Sequence, residues 1–480
     1  MLAFAKKFVE WEWKSSGGIY TNTPVRVYAS AMRDKSMYRF HINSMAMFKQ
    51  MLADRGASEN MIQWVTVPDY EPAKYPFEMK PGWVARPHQV PMIEFLSRRE
   101  QTAKLIEAAT GQGKGLVSLM ALVNLGERVV IVVKPKYVEK WQNELIEKFK
   151  DIEDKILIVQ GSKDLKMLTI LAEQGELDDP VIIISNATLR NWIRDYEEKG
   201  DGILELGYAC RPQEFFAHLK AGVRLIDETH EDYHFFFKLD TYTNVKTSIS
   251  LTATLLTRQP FEERMYETQF PPAERLAKAP PPRYVDSVNF LYRFKTPEKI
   301  RTEEWGSTSY SHTAFEKSII RHVPTLNNYM ALVKEVLDAA YIKDKKPGER
   351  AIVFAASVEM CTRLTKHLST AYPQLDVRRY VEQDPYENVI EPDIRVTTIF
   401  SGGTAVDIPD LSVAVMTTAL DSIKGNIQAL GRIRERQGKM LFYFFTAENL
   451  PKHIKYAEAK KILFKDRVKT YREISSSLRV

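Results

Sequence analysis

Short apolar runs rich in β-branched residues alternate with longer amphipathic stretches from about residue 100 onward, and this alternation constrains the fold most strongly. The runs cover 129–133, 181–184, 223–226 and 248–251 in the first half, and 351–354, 394–399, 413–416 and 441–445 in the second. Because these runs are apolar on both faces, they suit parallel sheets covered by helices on each side. Two sets of strands predict two doubly wound α/β domains rather than one very large sheet.

The patterns around these strands divide the chain into five predicted segments. We predict a small N-terminal α+β domain over 1–78, a first α/β domain over 79–260, a linker with leading helices over 261–345, a second α/β domain over 346–450 and a basic C-terminal helix over 451–480. The proline-rich run 271–282 marks the linker, because proline can neither donate to a strand ladder nor continue inside a helix.

Composition excludes several classes of protein. Hydrophobic residues make up 44% and charged residues 27% of the 480 positions, which argues against wholesale disorder. No run approaches the roughly 18 apolar residues of a membrane span, so we expect a cytoplasmic protein without a membrane partner. Two cysteines, Cys210 and Cys361, cannot form a four-cysteine zinc or iron–sulfur site. The net charge of +6 is compatible with nucleic-acid binding but does not require it.

A glycine turn between a short apolar strand and an apolar helix is the first motif with a chemical interpretation. It comprises Thr110, Gly111, Gln112, Gly113, Lys114 and Gly115. Backbone N–H groups of such a turn and the following helix N-terminus can hold a phosphate chain, and Lys114 adds a charge for the β- and γ-phosphates. The next position usually supplies a hydroxyl to Mg²⁺, but here it is Gly115. A glycine turn with a chance lysine is the alternative.

A pair of carboxylates, Asp227 and Glu228, follows the apolar run 223–226. Carboxylates at such a strand end lie on the sheet edge where doubly wound folds bind ligands. Asp227 can hold Mg²⁺, and Glu228 can orient and deprotonate an attacking water. The alternative is a pair of surface acids that merely cap a strand. This alternative is disfavoured by the Lys114 turn upstream and by the string 250–254 downstream.

These strings, in this order, resemble motifs I, II and III of superfamily 2 helicases, and 227–230 matches the DEAH/DExH box. The resemblance implies an ATP-hydrolysing DNA helicase with two RecA-like domains and with ATP and Mg²⁺ as cofactors. It also implies that His230, Ser250 and Thr252 couple the nucleotide state to the nucleic-acid surface. Arg86 and Gln89 resemble the upstream element that recognises adenine, with a plain helix start as the alternative for Gln89.

The string 428–436 resembles motif VI, in which arginines from the second domain stabilise the transferring phosphoryl group by roughly 10³–10⁵ in rate. Gln428 and Arg432 fit that motif, whereas Glu435 stands where its second arginine is expected. Arg434 and Arg436 therefore both remain candidates for the arginine finger. A plain basic helix is the alternative.

Weaker resemblances indicate residues that grip a nucleic-acid backbone at strand ends. In the first half, Lys134 and Pro135, with Trp141, resemble motif Ia, and Ser185 and Thr188 resemble motif Ib. In the second half, Ser357 lies in a possible motif IV. Gly403 and Thr404 lie in a possible motif V, although Ala405 and Asp407 differ from the residues usual there. Compactness and the lack of metal clusters resemble phage enzymes of UvsW type. That resemblance implies a monomer in the host cytoplasm that remodels branched, forked or single-stranded DNA.

Three basic segments are further candidates for DNA contact. Lys134, Lys136 and Lys140 form the first, the C-terminal segment with Lys460 and Lys461 the second, and the N-terminal segment with Lys14, Arg26, Trp11, Trp13 and Tyr38 the third. A helix packed on the second domain with a solvated charged face is the alternative for the C-terminal segment, and burial in a core is the alternative for the N-terminal aromatics. A duplex translocase without strand separation, an RNA helicase and a decayed motor used as a scaffold are the competing functions.

Overall fold

The computed structural model describes residues 2–480 except 17–18, 32–37, 58–62, 64–68, 101–102, 109–111, 254–258, 277–282, 305, 307–308, 382–383, 386 and 400–407. The chain forms two compact units, of which the first comprises Met1–Ala108 with Gln112–Lys278 and the second Ala279–Val480. Each unit contains a parallel sheet with helices on both faces, which confirms the predicted pair of doubly wound RecA-like domains.

The described strands of the first unit that form its large sheet follow the order β5-β10-β9-β6-β8-β7, and every pairing is parallel. These strands are β5 (Ala103–Glu107), β6 (Val129–Val133), β7 (Ile156–Val159), β8 (Val181–Ser185), β9 (Val223–Ile226) and β10 (Thr247–Thr252). All five residues of β6 and of β8 are buried, as the uninterrupted apolar runs predict. Each buried Val or Ile contributes about 1.5–3 kcal/mol of hydrophobic stabilisation.

The remaining elements of the first unit lie on the faces of this sheet or N-terminal to it. They are helices α1 (Leu2–Ala5), α2 (Met45–Ala53), α3 (Val90–Ser97), α4 (Lys114–Leu125), α5 (Val138–Lys148), α6 (Ser162–Gln174), α7 (Asn186–Lys199), α8 (Phe215–His218), α9 (Tyr233–Tyr242) and α10 (Pro260–Gln269), and strands β1 (Val9–Ser16), β2 (Ile19–Val27), β3 (Ser30–Ala31) and β4 (Tyr38–Arg39).

Two antiparallel ribbons, β1 with β2 and β3 with β4, together with α2 form the predicted small N-terminal α+β part. Its aromatic core continues into the first domain, because Phe4 and Phe8 belong to the same buried cluster as Leu105 and Phe237. The N-terminal part is therefore a layer on the first domain.

The β1–β2 hairpin does not bury its aromatic residues. Trp11 is 45%, Trp13 70% and Tyr20 71% exposed. Trp11 and Trp13 are two residues apart on β1, and successive side chains of a strand point to opposite faces, so both indoles lie on one face of the ribbon. The interpretation of Trp11 and Trp13 as core residues is wrong, because this face has no described layer over it that buries them.

Asp240 of α9 joins the N-terminal layer to the sheet through a buried polar network. Its carboxylate lies 3.2 Å from Nε2 of His41 and accepts hydrogen bonds from Gln269 at 2.5 Å and from the fully buried Arg224. Burial opposes the charge of Asp240, but Arg224 and His41 outweigh it and lower the pKa of Asp240 to about 2. The network keeps this buried carboxylate ionised.

The described strands of the second unit form one parallel sheet in the order β13-β14-β12-β15-β16-β11-β17. They are β11 (Asp286–Arg293), β12 (Arg350–Ala355), β13 (Val377–Tyr380), β14 (Ile394–Thr398), β15 (Leu411–Met416), β16 (Leu441–Ala447) and β17 (Thr470–Arg479). Its described helices are α11 (His312–Ile320), α12 (Val323–Leu337), α13 (Val358–Ala371), α14 (Glu387–Ile390), α15 (Ile423–Leu430) and α16 (Pro451–Phe464), and a π-helical turn covers Asp338–Ile342.

The second sheet is wider than the sequence predicts. Strand β11 lies within the segment interpreted as a linker with helices, and the predicted helix 451–480 ends at Phe464 and is followed by β17. Strand β17 is an edge strand, and most of its side chains are exposed. Its sequence is therefore polar and gives no apolar run, although Thr470, Tyr471 and Ile474 favour extended backbone. None of the described helices has the length and apolarity that crossing a membrane requires.

Candidate functional site

Parallel pairing brings the loops that follow β5, β9 and β10 to one edge of the first sheet. Thr252 at the end of β10 is in register with Glu107 at the end of β5, and Ser250 is in register with Ile226 of β9. The Lys114 turn follows β5 and the Asp227 segment follows β9. Because carboxyl ends of parallel strands share an edge, motifs separated by over a hundred residues meet there.

Gln89 supports the glycine turn. The side chain is 3% exposed, its Nε2 donates to the carbonyl of Gln112 at 2.9 Å, and its Oε1 accepts the Arg86 N–H at 2.9 Å. Gly113 has a φ of 80°, and a Cβ there would lie 2.2 Å from Gln89 Nε2. Glycine is therefore required both by the left-handed backbone and by the close approach of Gln89. The Arg86 side chain itself is exposed.

Lys114 is the first residue of α4, and its ammonium donates to the carbonyl of Ala108 at 3.0 Å. The lysine thus folds back over the turn, which places its charge at the helix N-terminus, where a phosphate chain would be held by backbone N–H groups. A side chain at Gly113 would clash with Gln89, and Lys114 bends back over the turn. Both features suit a turn that holds the phosphates of a nucleoside triphosphate.

Asp227 is 7% exposed and is held by three donors. Trp141 Nε1 donates to its Oδ2 at 3.1 Å, Lys140 Nζ lies 3.4 Å from the same oxygen, and the Glu228 N–H donates to Oδ1 at 2.9 Å. Both donor side chains come from α5, whereas Asp227 follows strand β9. The sequence points to Lys140 and Trp141 only as backbone-gripping residues, whereas the structure shows that they orient Asp227.

The two carboxyl groups of this segment have pKa values pushed in opposite directions. Burial opposes the charge of Asp227, but Lys140, Lys114 and the Trp141 N–H outweigh burial and lower its pKa. Burial raises the pKa of Glu228, and the charge of Asp227 adds to that rise against the attraction of Lys114. Such divergence separates a carboxylate suited to hold a cation from one suited to take up a proton.

Glu228 also departs from ordinary backbone geometry. Its φ is 51° and its ψ is 46°, in the left-handed region, which costs a non-glycine residue about 1 kcal/mol or more. This turn follows the buried strand β9 directly. The Glu228 side chain is 20% exposed, and its Oε2 lies 3.3 Å from Nδ1 of His230. Strained backbone of this kind is typical of functional segments.

His230 links the segment after β9 to the end of β10. Its Nδ1 lies 2.8 Å from Oγ1 of Thr252, and both residues are buried. Ser250, two residues earlier on β10, is 1% exposed. Of the three residues predicted to couple the nucleotide state to the nucleic-acid surface, His230 contacts Thr252 directly, and Ser250 is in register with Ile226, the residue before Asp227.

Gly115 is packed against a carboxylate that the sequence analysis does not single out. A Cβ at position 115 would lie 2.1 Å from Oε1 of Glu144, which comes from α5. The only sequence signal for this contact is that Lys140, Trp141 and Glu144 recur at helical spacing, because side chains three and four residues apart share a helix face.

The four residues predicted to grip a nucleic-acid backbone in the first domain differ in their surroundings. Lys134 forms an ion pair with Glu231 at 2.6 Å, and Thr188 Oγ1 accepts the Gly161 N–H at 2.7 Å. Ser185 is buried at the start of α7, and Pro135 is the exposed first residue of a short 3-10 helix that covers Pro135–Tyr137. Lys134 and Pro135 are therefore the better placed of these residues for a surface contact.

In the second unit, the arginines of 428–436 have different surroundings. Arg432 is 4% exposed, after α15, the helix that carries Gln428. Arg434 donates to the Gly431 carbonyl at 3.2 Å. Arg436 donates to the Asp410 carbonyl at 2.9 Å and pairs with the buried Glu349 at 3.2 Å. Arg434 and Arg436 thus both contact their own domain, and Arg436 does so through an ion pair with a buried carboxylate.

Ser357 serves a local structural purpose at the start of α13. Its hydroxyl accepts the Met360 N–H at 3.2 Å as a helix N-cap and donates to Glu316 at 2.5 Å. Four predicted site residues, Thr110, Gly111, Gly403 and Thr404, lie outside the described residues, as do Thr254 and the rest of 400–407.

Comparison with known proteins gives one family-model match and several solved structures of similar fold. Residues 83–257 match the family model described as "Type III restriction enzyme, res subunit". Dbp5 of S. cerevisiae bound to RNA and ADP BeF3 is similar over 81% of this chain and 89% of that chain, with 11% identity and a TM-score of 0.53. Mss116p bound to ssRNA and AMP-PNP is similar over 82% and 75%, with 16% identity and a TM-score of 0.52.

A putative HsdR subunit of a type I restriction enzyme from Vibrio vulnificus YJ016 is similar over 98% of this chain and 78% of that chain, with 14% identity and a TM-score of 0.50. No curated protein sequence matches the chain significantly. At these identities the structural likeness concerns the fold alone.

The chain therefore contains two RecA-like domains, a fold that it shares with the solved structures to which it is similar. Residues 83–257 of the first domain are similar to the restriction-enzyme res-subunit family.

Proposed function

We propose that the protein is an ATP-dependent DNA helicase or translocase that unwinds or remodels branched DNA. The observation that carries the proposal is the convergence of Lys114, Asp227 and Glu228 at one sheet edge, with the pKa values of the two carboxyl groups moved apart. A lysine for phosphates, an ionised carboxylate for a cation and a carboxylate with raised proton affinity are the three groups that nucleotide hydrolysis requires.

The residues of the first unit divide the work of the proposed reaction. The glycine turn and Lys114 bind the phosphate chain, and Asp227, held by Trp141 and Lys140, holds Mg²⁺. Mg²⁺ supplies charge stabilisation at the phosphates. Glu228 orients the attacking water and accepts its proton on the carboxylate. Gln89 would recognise the base from its position against Gln112.

We further propose that arginines of the second unit complete hydrolysis when the domains close on the nucleotide. Arg432 and Arg434 are our candidates, because Arg436 is committed to Glu349 and Asp410. Dependence on a second domain makes turnover sensitive to anything that favours closure, including a bound strand. The His230–Thr252 contact supports a route from the nucleotide to the strand-binding surface.

The exposed hairpin is our candidate for a further contact with DNA. Trp11, Trp13 and Tyr20 provide flat aromatic surface, and base stacking on an aromatic side chain is worth about 1–3 kcal/mol per base. Lys14 and Arg26 add positive charge on the same ribbon, although Glu10 and Glu12 balance it. The hairpin therefore suits unpaired bases better than a duplex backbone.

Duplex translocation without strand separation is the second candidate, and the res-subunit match over 83–257 favours it. A strand-displacement assay separates the two. With ATP, the helicase reading predicts release of the labelled strand from a forked duplex, and Lys114→Ala should abolish that release. Displacement of a triplex-forming strand from a blunt duplex without duplex unwinding would support translocation instead. Stimulation of ATP hydrolysis by RNA alone would overturn the choice of DNA.

A further inference from the structure

The position after Lys114 lacks the side chain that this kind of turn usually contributes to a metal. In phosphate-binding loops a Ser or Thr hydroxyl there reaches Mg²⁺, and Gly115 has none. The space is not vacant. A Cβ at Gly115 would lie 2.1 Å from Oε1, 2.8 Å from Cδ and 3.0 Å from Oε2 of Glu144. A carboxylate therefore occupies the volume where the usual side chain would begin.

Glu144 is fixed on the same helix that orients Asp227. It follows Lys140 by four residues and Trp141 by three, so the three side chains share one face of α5. Its side chain is 18% exposed, and its Oε1 lies 3.4 Å from Nζ of Lys148. Lys140 feels the negative charges of both Asp227 and Glu144. The two carboxylates thus act on a common region beside the phosphate-binding turn.

We propose that Glu144 takes the place of the missing hydroxyl as the second protein ligand of the Mg²⁺ that accompanies the nucleotide. The inference rests on the proposed nucleotide-binding function. Mg²⁺ is usually bound by one or two carboxylates together with substrate phosphates.

Replacing a neutral hydroxyl by a carboxylate changes how nucleotide binding depends on metal. Without a divalent cation, Glu144 repels the phosphates; with one, it binds the cation. The gain in nucleotide affinity on adding metal should therefore be larger here than a hydroxyl ligand would give. Glu144→Gln should weaken binding in the presence of metal and strengthen it in its absence. A side chain that merely supports the fold would move both affinities in the same direction.

The test measures the affinity of a fluorescent ADP analogue in Mn²⁺ and in EDTA, with Mn²⁺ binding followed independently by electron paramagnetic resonance. We expect Glu144→Gln to reduce the metal-dependent gain in affinity at least tenfold. Glu147→Gln is the matched control, because Glu147 lies on the same helix, also contacts Lys148 at 3.2 Å, and is 59% exposed. It should keep the wild-type gain, and circular dichroism checks that each variant is folded.

A reciprocal pair of variants tests the same inference from the side of Gly115. Gly115→Ser alone should clash with Glu144, whereas Gly115→Ser combined with Glu144→Ala should regain much of the metal-dependent gain that Glu144→Ala loses. If Glu144→Gln keeps the wild-type metal-dependent gain in nucleotide affinity, Glu144 is not a metal ligand, and the proposed nucleotide site is unaffected by that result. Failure of the wild-type protein to bind the analogue with or without Mn²⁺ would instead overturn the proposed nucleotide site, and Glu144 with it.

Discussion

At the scale of single residues, the site depends on side chains that neighbouring groups hold in defined charge states. Asp227 has donors from Trp141 and Lys140, while Glu228 sits on strained backbone with a raised pKa. The order of strings along the chain suffices to predict Lys114, Asp227 and Glu228. It does not suffice for Glu144, which lies 29 positions after Gly115 and meets it only because α4 and α5 pack in the folded domain.

Glu228→Gln tests the proposed base. The variant keeps the shape of the side chain but cannot accept the proton of the attacking water, so we expect hydrolysis to fall by about 10²–10⁴. Nucleotide affinity should change little, because Lys114 and Asp227 remain. Single-turnover hydrolysis and equilibrium binding measure the two quantities separately, and a rate within a few-fold of wild type would exclude Glu228 as the base.

A comparison of Arg434→Ala with Arg436→Ala tests which arginine serves the nucleotide. Arg436→Ala leaves the carboxylate of Glu349, whose side chain is 7% exposed, without its ion-pair partner. We expect the free energy of unfolding to drop by about 1–3 kcal/mol with the hydrolysis rate per folded molecule retained. Arg434→Ala should instead lower the rate by at least tenfold with little loss of stability. The reverse pattern would assign the finger to Arg436.

At the scale of elements, predictability follows burial. Strand β6 is apolar at every position and β8 at every position but its last, Ser185, and both were predicted within one residue, because a strand buried on both faces is mostly apolar. Strand β17 at the sheet edge has exposed side chains and lacks that signal. The exposure of Trp11 and Trp13 could not be predicted either, because alternation shows that one face of the hairpin is apolar but not what covers it.

Trp13→Ala tests the hairpin as a contact for nucleic acid. Loss of one stacking surface should weaken binding of single-stranded DNA by about 1–3 kcal/mol, which corresponds to roughly 5- to 150-fold in Kd. Thr23→Ala is the control, since Thr23 pairs with Glu12 on the opposite face of the same ribbon. Fluorescence anisotropy measures the affinity, and equal Kd values for wild type and Trp13→Ala would remove the hairpin from the interface.

Asp240 ties the N-terminal layer to the first domain in a pH-dependent way. Its pKa is lowered from 3.8 to about 2 in the folded protein, so its contribution is complete above pH 4 and is lost as the pH falls toward 2. The shift corresponds to about 2 kcal/mol of folding stability. The difference in free energy of unfolding between wild type and Asp240→Asn, measured with urea, should therefore decrease by about 2 kcal/mol as the pH falls from 4 to 2.

The exposed Asp69 provides the control for this titration. Its side chain is 82% exposed and pairs with Lys246 at 3.1 Å, and screened surface pairs contribute little. Asp69→Asn should therefore track wild type across the acid range. A gap between wild type and Asp240→Asn that stays constant from pH 6 to pH 2 would show that the Asp240 network does not supply the acid-sensitive stability.

At the scale of the whole molecule, the sequence predicts two RecA-like domains and the structure confirms them. The nucleic acid that they act on is a separate matter, because neighbours of the same fold are described with RNA in two cases and as a restriction subunit in a third. Fold is shared among proteins with different substrates. The choice of branched DNA is therefore our proposal from the compact chain and its motifs.

The most direct test of the central claim is steady-state ATP hydrolysis at low salt, without nucleic acid and with single-stranded DNA, blunt duplex, a four-way junction or RNA. We predict that single-stranded or branched DNA stimulates hydrolysis at least tenfold over the rate without nucleic acid, and more than RNA does. Lys114→Ala should show no hydrolysis with any of them. Absence of hydrolysis by the wild-type protein under every condition would contradict the account and favour a motor that has lost its activity.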